Sequence, residues 1–149
     1  YGIIGGHDKF DLSICNPPFH ASAKEAREGI RRKVKNLSGK EKIKPVLNFA
    51  GIANELIYEG GEYRFIQNMI TESKVFAHNC YWFSTLVSKQ FNLKRITTLL
   101  EKEETKQIRI IPIGTGNKST RIVAWTFLSG EEQKEWAKKV YHAKSKINV

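Results

Sequence analysis

The feature that most constrains this chain is a tetrapeptide, Asn16-Pro17-Pro18-Phe19, set directly behind the short apolar run Phe10-Asp11-Leu12-Ser13-Ile14-Cys15. A run of that length and composition reads as a buried strand. The two prolines end it, because each fixes φ and removes a backbone donor. The strand therefore opens into a rigid turn at its C-terminal end, where open sheets with crossover helices bind ligands. Asn-Pro-Pro is a turn signal in its own right. Its chemistry comes from what the turn presents. The Asn16 side-chain oxygen and the Pro17 carbonyl are two acceptors that can converge on a partner carrying two N–H bonds, and a flat aromatic NH2 is such a partner. Gripping both N–H bonds biases the nitrogen towards a pyramidal geometry and aims its lone pair at an electrophile. Phe19 offers a face for the ring to stack on, worth about 1–3 kcal/mol, and Pro18 stiffens the turn.

Periodicity supplies the frame around this turn. Glu62 to Phe76 carries Phe65, Ile66, Met69, Ile70 and Val75 at helical spacing, with Gly60-Gly61 just before it. Asn79 to Ser88 is a second buried strand, and Asn92 to Lys102 a short helix with Asn92 as its expected cap. Thr105–Ile113 and Arg121–Leu128 are strands joined by the turn Gly114-Thr115-Gly116-Asn117-Lys118-Ser119, which makes them an antiparallel hairpin. A polar helix with Trp136 and Tyr141 follows from Glu131. The order strand, helix, strand, helix, hairpin predicts an α/β fold with a mostly parallel sheet, its crossover helices, and a terminal antiparallel hairpin strand. Glu59 and Glu62 have two readings, a cap for the following helix or a part of the site.

Charge narrows the partners. The 149 residues hold 25 Lys and Arg against 15 Asp and Glu, a net charge of +10, and such an excess favours polyanions through counterion release. The cations concentrate after the turn, where Arg27, Arg31, Arg32, Lys33 and Lys35 fall in a stretch (Ala21 to Lys35) of helix-forming composition. A solvated helix face and a set of phosphate contacts are the two readings of that run. Lys118 and Arg121 at the hairpin form a second basic pair, and His20 is a further candidate for substrate contact. Cys15 and Cys80 share no ligand spacing, and His7, His20, His78 and His142 are scattered, so neither a disulfide framework nor a metal site is expected. Without a membrane-length apolar run or a signal peptide, a cytoplasmic setting is expected. The first residues, Tyr1-Gly2-Ile3-Ile4-Gly5-Gly6, lack an initiator Met, which suggests one truncated domain cut from a longer chain.

Several separated blocks occur in a particular order: Cys15 to Ser22, Leu47-Asn48-Phe49-Ala50-Gly51, Asn54-Glu55-Leu56, Glu59-Gly60-Gly61-Glu62, Trp82 to Ser88, Gly116 to Arg121, and Ala124-Trp125-Thr126-Phe127. Together they resemble the bacterial 23S ribosomal RNA adenine-N6 methyltransferase F family, from about Phe10 to Phe127. A related eukaryotic group methylates adenine in small nuclear and messenger RNA. The resemblance implies the C-terminal part of a Rossmann-like class I methyltransferase fold, with S-adenosylmethionine as the methyl donor. It also implies an adenine N6 in 23S ribosomal RNA, free or in the assembling large subunit, as the acceptor. It assigns catalysis to Asn16, Pro17, Pro18 and Phe19, with Asn16 also facing the cofactor. Residues 20–60 become a substrate-contacting insertion. One departure stands out. The family's glycine-rich cofactor loop precedes the Pro-Pro motif, and Gly2, Gly5 and Gly6 do not follow a strand and open a helix as that loop must. The fragment alone is therefore expected to bind cofactor weakly and to be inactive. Two alternatives share part of the pattern. A guanine-N2 ribosomal RNA enzyme has Asn-Pro-Pro-Phe-His but not the block from Leu47 to Glu62, and a non-catalytic RNA-binding fragment would need no cofactor loop.

Overall fold

A computed structural model describes residues 5–18, 20–22, 25, 28, 57–115 and 118–145. The strands are β1 (Phe10–Cys15), β2 (Cys80–Val87), β3 (Gln107–Thr115) and β4 (Lys118–Thr126); the helices are α1 (Gly61–Val75), α2 (Gln90–Lys102) and α3 (Gly130–Ser145). The sheet order is β1-β2-β4-β3. β1 pairs with β2 in parallel, from Phe10↔Cys80 to Cys15↔Thr85. β4 runs antiparallel to both β2 and β3. β1, β2 and β3 therefore point the same way, and only β4 is reversed, inserted between β2 and β3.

The α/β expectation with a terminal antiparallel hairpin strand holds. The words "mostly parallel" need correction at the level of pairing, since two of the three ladders among the described residues are antiparallel. The reason is geometric: one reversed strand placed in the interior of the sheet makes two antiparallel neighbours. Pro112 explains why β3 takes the edge, where a residue without an N–H costs no ladder bond on its outer side.

Two glycines start α1. Gly60 and Gly61 have φ of 85° and 68°, a left-handed conformation that side chains rarely adopt. A Cβ on Gly60 would lie 2.7 Å from Cβ of Arg64. From there the apolar stripe turns Ile66 and Ile70 inward against Phe83 and Val87 of β2, Val123 and Trp125 of β4, and Ile96 and Leu100 of α2. Phe83 and Trp125, paired across the ladder, stack with centroids 5.9 Å apart. The Trp125 indole N–H donates to Ser73 Oγ at 3.0 Å, so the largest core residue also has its polar handle satisfied.

The second helix begins earlier than expected. Lys89, not Asn92, is its N-cap residue, and no side chain of its own caps it. The third helix opens on a reciprocal capping box: Glu132 N–H donates to Ser129 Oγ, and Ser129 N–H donates to the Glu132 carboxylate. This holds the Glu132 carboxyl below the usual range. The hairpin ladder extends to Thr115↔Lys118, further than the sequence reading placed it.

Candidate functional site

Because β1 and β2 are parallel, their C-terminal ends share one edge of the sheet, where Cys15 lies beside Thr85. The returning strand starts at the same edge, with Arg121 of β4 paired to Val87. The first turns of α1 and α2 meet there too, tied together through Glu62 and the Ser88–Lys89 corner. The expected turn therefore sits where five elements converge. Asn16 is exposed, Pro17 is buried and Pro18 half-buried. An anchored proline behind an exposed amide is the arrangement needed to hold two acceptors in a fixed relation.

His20 continues the chain away from the turn and is fixed by backbone contacts. It forms a parallel bridge with Ile57, and Tyr58 N–H donates to the His20 carbonyl at 3.0 Å. Gly61 N–H donates to the Tyr58 carbonyl at 2.7 Å, and a Cβ on Gly61 would touch the Ala21 methyl at 3.4 Å. Ser22 and Glu25 then form a capping arrangement. Glu25 N–H donates to Ser22 Oγ, while Ala21 N–H donates to Glu25 Oε2 at 2.7 Å. The other Glu25 oxygen accepts from Lys89 Nζ at 3.2 Å. The Ala21 N–H and the Lys89 ammonium, in that order, hold the Glu25 carboxyl below the usual carboxylate range.

Glu62 resolves differently from a helix cap. It is 1% exposed, and no side chain caps α1. Its Oε1 accepts from Ser88 N–H and the Ser88 hydroxyl, and its Oε2 accepts from Lys89 N–H and the Asn92 amide. The carboxylate thus supplies the N-terminus of α2, not that of its own helix, and does so at the positive end of that helix dipole. The S-x-x-E spacing at Ser22–Glu25 was the signal available in the sequence for the Glu25 contact. Glu62 had no such local signal, because its partners lie 26 to 30 residues downstream.

The remaining candidates divide. Arg121 is half-buried at the site edge, and Lys118 opens β4 on the same side. Phe19, Arg27, Arg31, Arg32, Lys33 and Lys35 lie outside the described residues, as does most of the 20–60 segment. Burial pushes the thiols of Cys15 and Cys80 up, which leaves them poor nucleophiles and suits the reading of small hydrophobes. Among the described residues no group of three or more His, Cys, Asp and Glu could hold a metal ion, and no helix is long and apolar enough to cross a membrane. The glycine-rich cofactor loop implied by the resemblance needs a strand, a glycine-rich turn and a helix that opens behind it. Gly60-Gly61 do not fit: the Gly61 N–H is committed to Tyr58, and an isolated bridge, not a strand, precedes the pair.

A family described as RNA methyltransferase matches residues 1–129. The chain is 54% identical over 136 residues to the ribosomal RNA large subunit methyltransferase F of Cytophaga hutchinsonii, covering 91% of this chain and 42% of that protein. It is 50% identical over 127 residues to the protein of the same name from Bacteroides thetaiotaomicron, covering 85% and 41% respectively. The chain thus spans about two fifths of the length of these relatives. Among solved structures it is similar to the hMettl16 catalytic domain in complex with MAT2A 3′UTR hairpin 6, at a TM-score of 0.62 and 25% identity over 80% of this chain and 41% of that one. It also shares the fold of the N-terminal domain of human METTL16 in complex with SAH, at a TM-score of 0.54 and 18% identity over 85% and 36%.

Proposed function

We propose, since the chain belongs to the RNA methyltransferase family, that it supplies the acceptor-facing part of an S-adenosylmethionine-dependent enzyme that methylates the N6 amino group of an adenine in 23S ribosomal RNA. The observation that carries this reading is the Asn16-Pro17 turn at the shared edge of β1 and β2, exposed at its amide and anchored at its proline. Asn16 Oδ1 and the Pro17 carbonyl accept the two N–H bonds of the adenine amine and orient its lone pair. Pro18 keeps the two acceptors in register, and Phe19 stacks the extruded base. Arg27, Arg31, Arg32, Lys33 and Lys35 contact phosphates, with His20, Lys118 and Arg121 completing the RNA-facing rim. Phosphate contacts position RNA without reading its sequence, so these cations do not choose the adenine.

S-adenosylmethionine, when bound, supplies the methyl group. Asn16 is the residue of this chain that would face it, because it grips the amine whose lone pair is aimed at the methyl group. Among the described residues none cradles the cofactor, and the 149-residue chain by itself is expected to bind it weakly without turnover. The relatives named for large-subunit ribosomal RNA support the substrate class, and the similar domain solved with an RNA hairpin supports an RNA partner. A cytoplasmic enzyme meeting the RNA free or in an assembling subunit follows from that substrate.

The test is methylation of unmodified large-subunit ribosomal RNA by the full-length protein, followed by nucleoside mass spectrometry. The expected product is N6-methyladenosine. N2-methylguanosine would move the enzyme to the guanine branch, and RNA binding without any product would leave an RNA-binding module.

A further inference from the structure

We infer that Glu62 is a positioning residue for the Asn16 turn, acting through the Ser88–Lys89 corner and Glu25. The inference rests on the function proposed above. A buried carboxylate is costly unless hydrogen bonds satisfy it, and Glu62 is satisfied by four donors, from Ser88, Lys89 and Asn92. These donors fix the backbone at Ser88 and Lys89, so the Lys89 side chain leaves from a fixed point. Its ammonium reaches Glu25 Oε1, while Glu25 Oε2 holds the Ala21 N–H. Ala21 stands two residues beyond Phe19. On its other side Glu62 adjoins Gly61, whose packing against Ala21 and bond to Tyr58 pin the same exit, since Tyr58 in turn holds the His20 carbonyl. Two paths therefore reach the residues that close the turn, one from the buried carboxylate of Glu62 and one from the backbone of the neighbouring Gly61. One is made of ion pairs and hydrogen bonds, the other of backbone contacts.

The bonds to the Ser88 and Lys89 backbone, and the onward contact to Glu25, extend the network to the turn that presents Asn16. Small displacements of such a turn cost rate steeply, up to about a hundredfold for 1 Å.

The experiment compares wild type, Glu62→Gln, Lys89→Met and Lys89→Arg in the full-length protein, measuring melting temperature together with kcat and RNA KM per folded molecule. Glu62→Gln should lower kcat about ten- to a hundredfold, because its amide would face the Lys89 N–H with a second donor. Lys89→Met severs only the outer link, leaves Glu62 satisfied, and should lower kcat about tenfold with RNA KM changed less than about twofold. Lys89→Arg should restore most of that loss. A lower melting temperature with wild-type kcat in Glu62→Gln would overturn the inference, as would a Lys89→Met effect confined to KM. An inactive wild type would instead refute the function on which the inference rests.

Discussion

The two sides of the sheet's first strand pair are held by different physics. On the face covered by α1 and α2, Ile66, Ile70, Val87, Val123 and Trp125 are fully buried and close-packed. At the C-terminal edge apolar packing of that kind would not suffice, because the site must expose a polar amide. There the chain is held instead by directed bonds: Glu62 to the Ser88–Lys89 corner, Lys89 to Glu25, Glu25 to Ala21. Packing tolerates small shifts and responds to volume, whereas directed bonds fix angles. A core therefore carries stability, and an edge like this one carries geometry. Substitutions in the first should cost folding free energy and spare rate per folded molecule; substitutions in the second should do the reverse.

Trp125→Ala has the largest expected effect on stability. It removes a fully buried indole stacked on Phe83 and should cost about 3–5 kcal/mol, read by urea unfolding, with unchanged turnover in the folded fraction. Ser73→Ala should cost about 1–3 kcal/mol, since it leaves the buried Trp125 N–H without its acceptor. Gly60→Ala lies between the regions. Strain at φ 85° and the 2.7 Å approach to Arg64 should cost about 1–3 kcal/mol, and because Gly60 opens α1 beside Glu62, some loss of rate should accompany it.

The smallest effect is the pH response of Glu25. Its folded-state pKa lies below the unfolded value, so its contribution is fully present above the ordinary Glu pKa and is lost as pH falls through the depressed folded one. The groups facing it are Lys89 and His20. A carboxyl titration followed by NMR should place its midpoint below that of an unperturbed Glu, and Lys89→Met should move it back up. A midpoint unchanged by Lys89→Met would separate Glu25 from the Glu62–Lys89 network.

Much of this was legible in the sequence, and for identifiable reasons. The strand before the prolines, the amphipathic stripe of Ile66 and Ile70, and the hairpin were readable because each is a local pattern of period or turn chemistry. The insertion of β4 between β2 and β3 was not, since strand order is a tertiary outcome that alternating periodicity does not encode. Asn92 looked like a cap because Asn favours that position, yet it lies buried and serves Glu62. Glu62 stood out only as a carboxylate after two glycines. Its meaning depends on residues 26 to 30 positions away, which no window of local sequence contains. The exposed Leu12 and Ile14, at 52% and 79%, also defeat the reading of β1 as wholly buried. They alternate with Ser13, whose carbonyl accepts from Ser84 Oγ, and lie on the face away from Phe83.

The most direct test of the central claim is Asn16→Ala in the full-length protein, with single-turnover methyl transfer and RNA affinity measured on the same preparation. Removing one of two acceptors at an exposed position should cut transfer by at least about a hundredfold and leave RNA Kd within about twofold, because the phosphate contacts are untouched. Wild-type single-turnover transfer by Asn16→Ala would contradict the assignment of the Asn16-Pro17 turn as the grip on the acceptor amine.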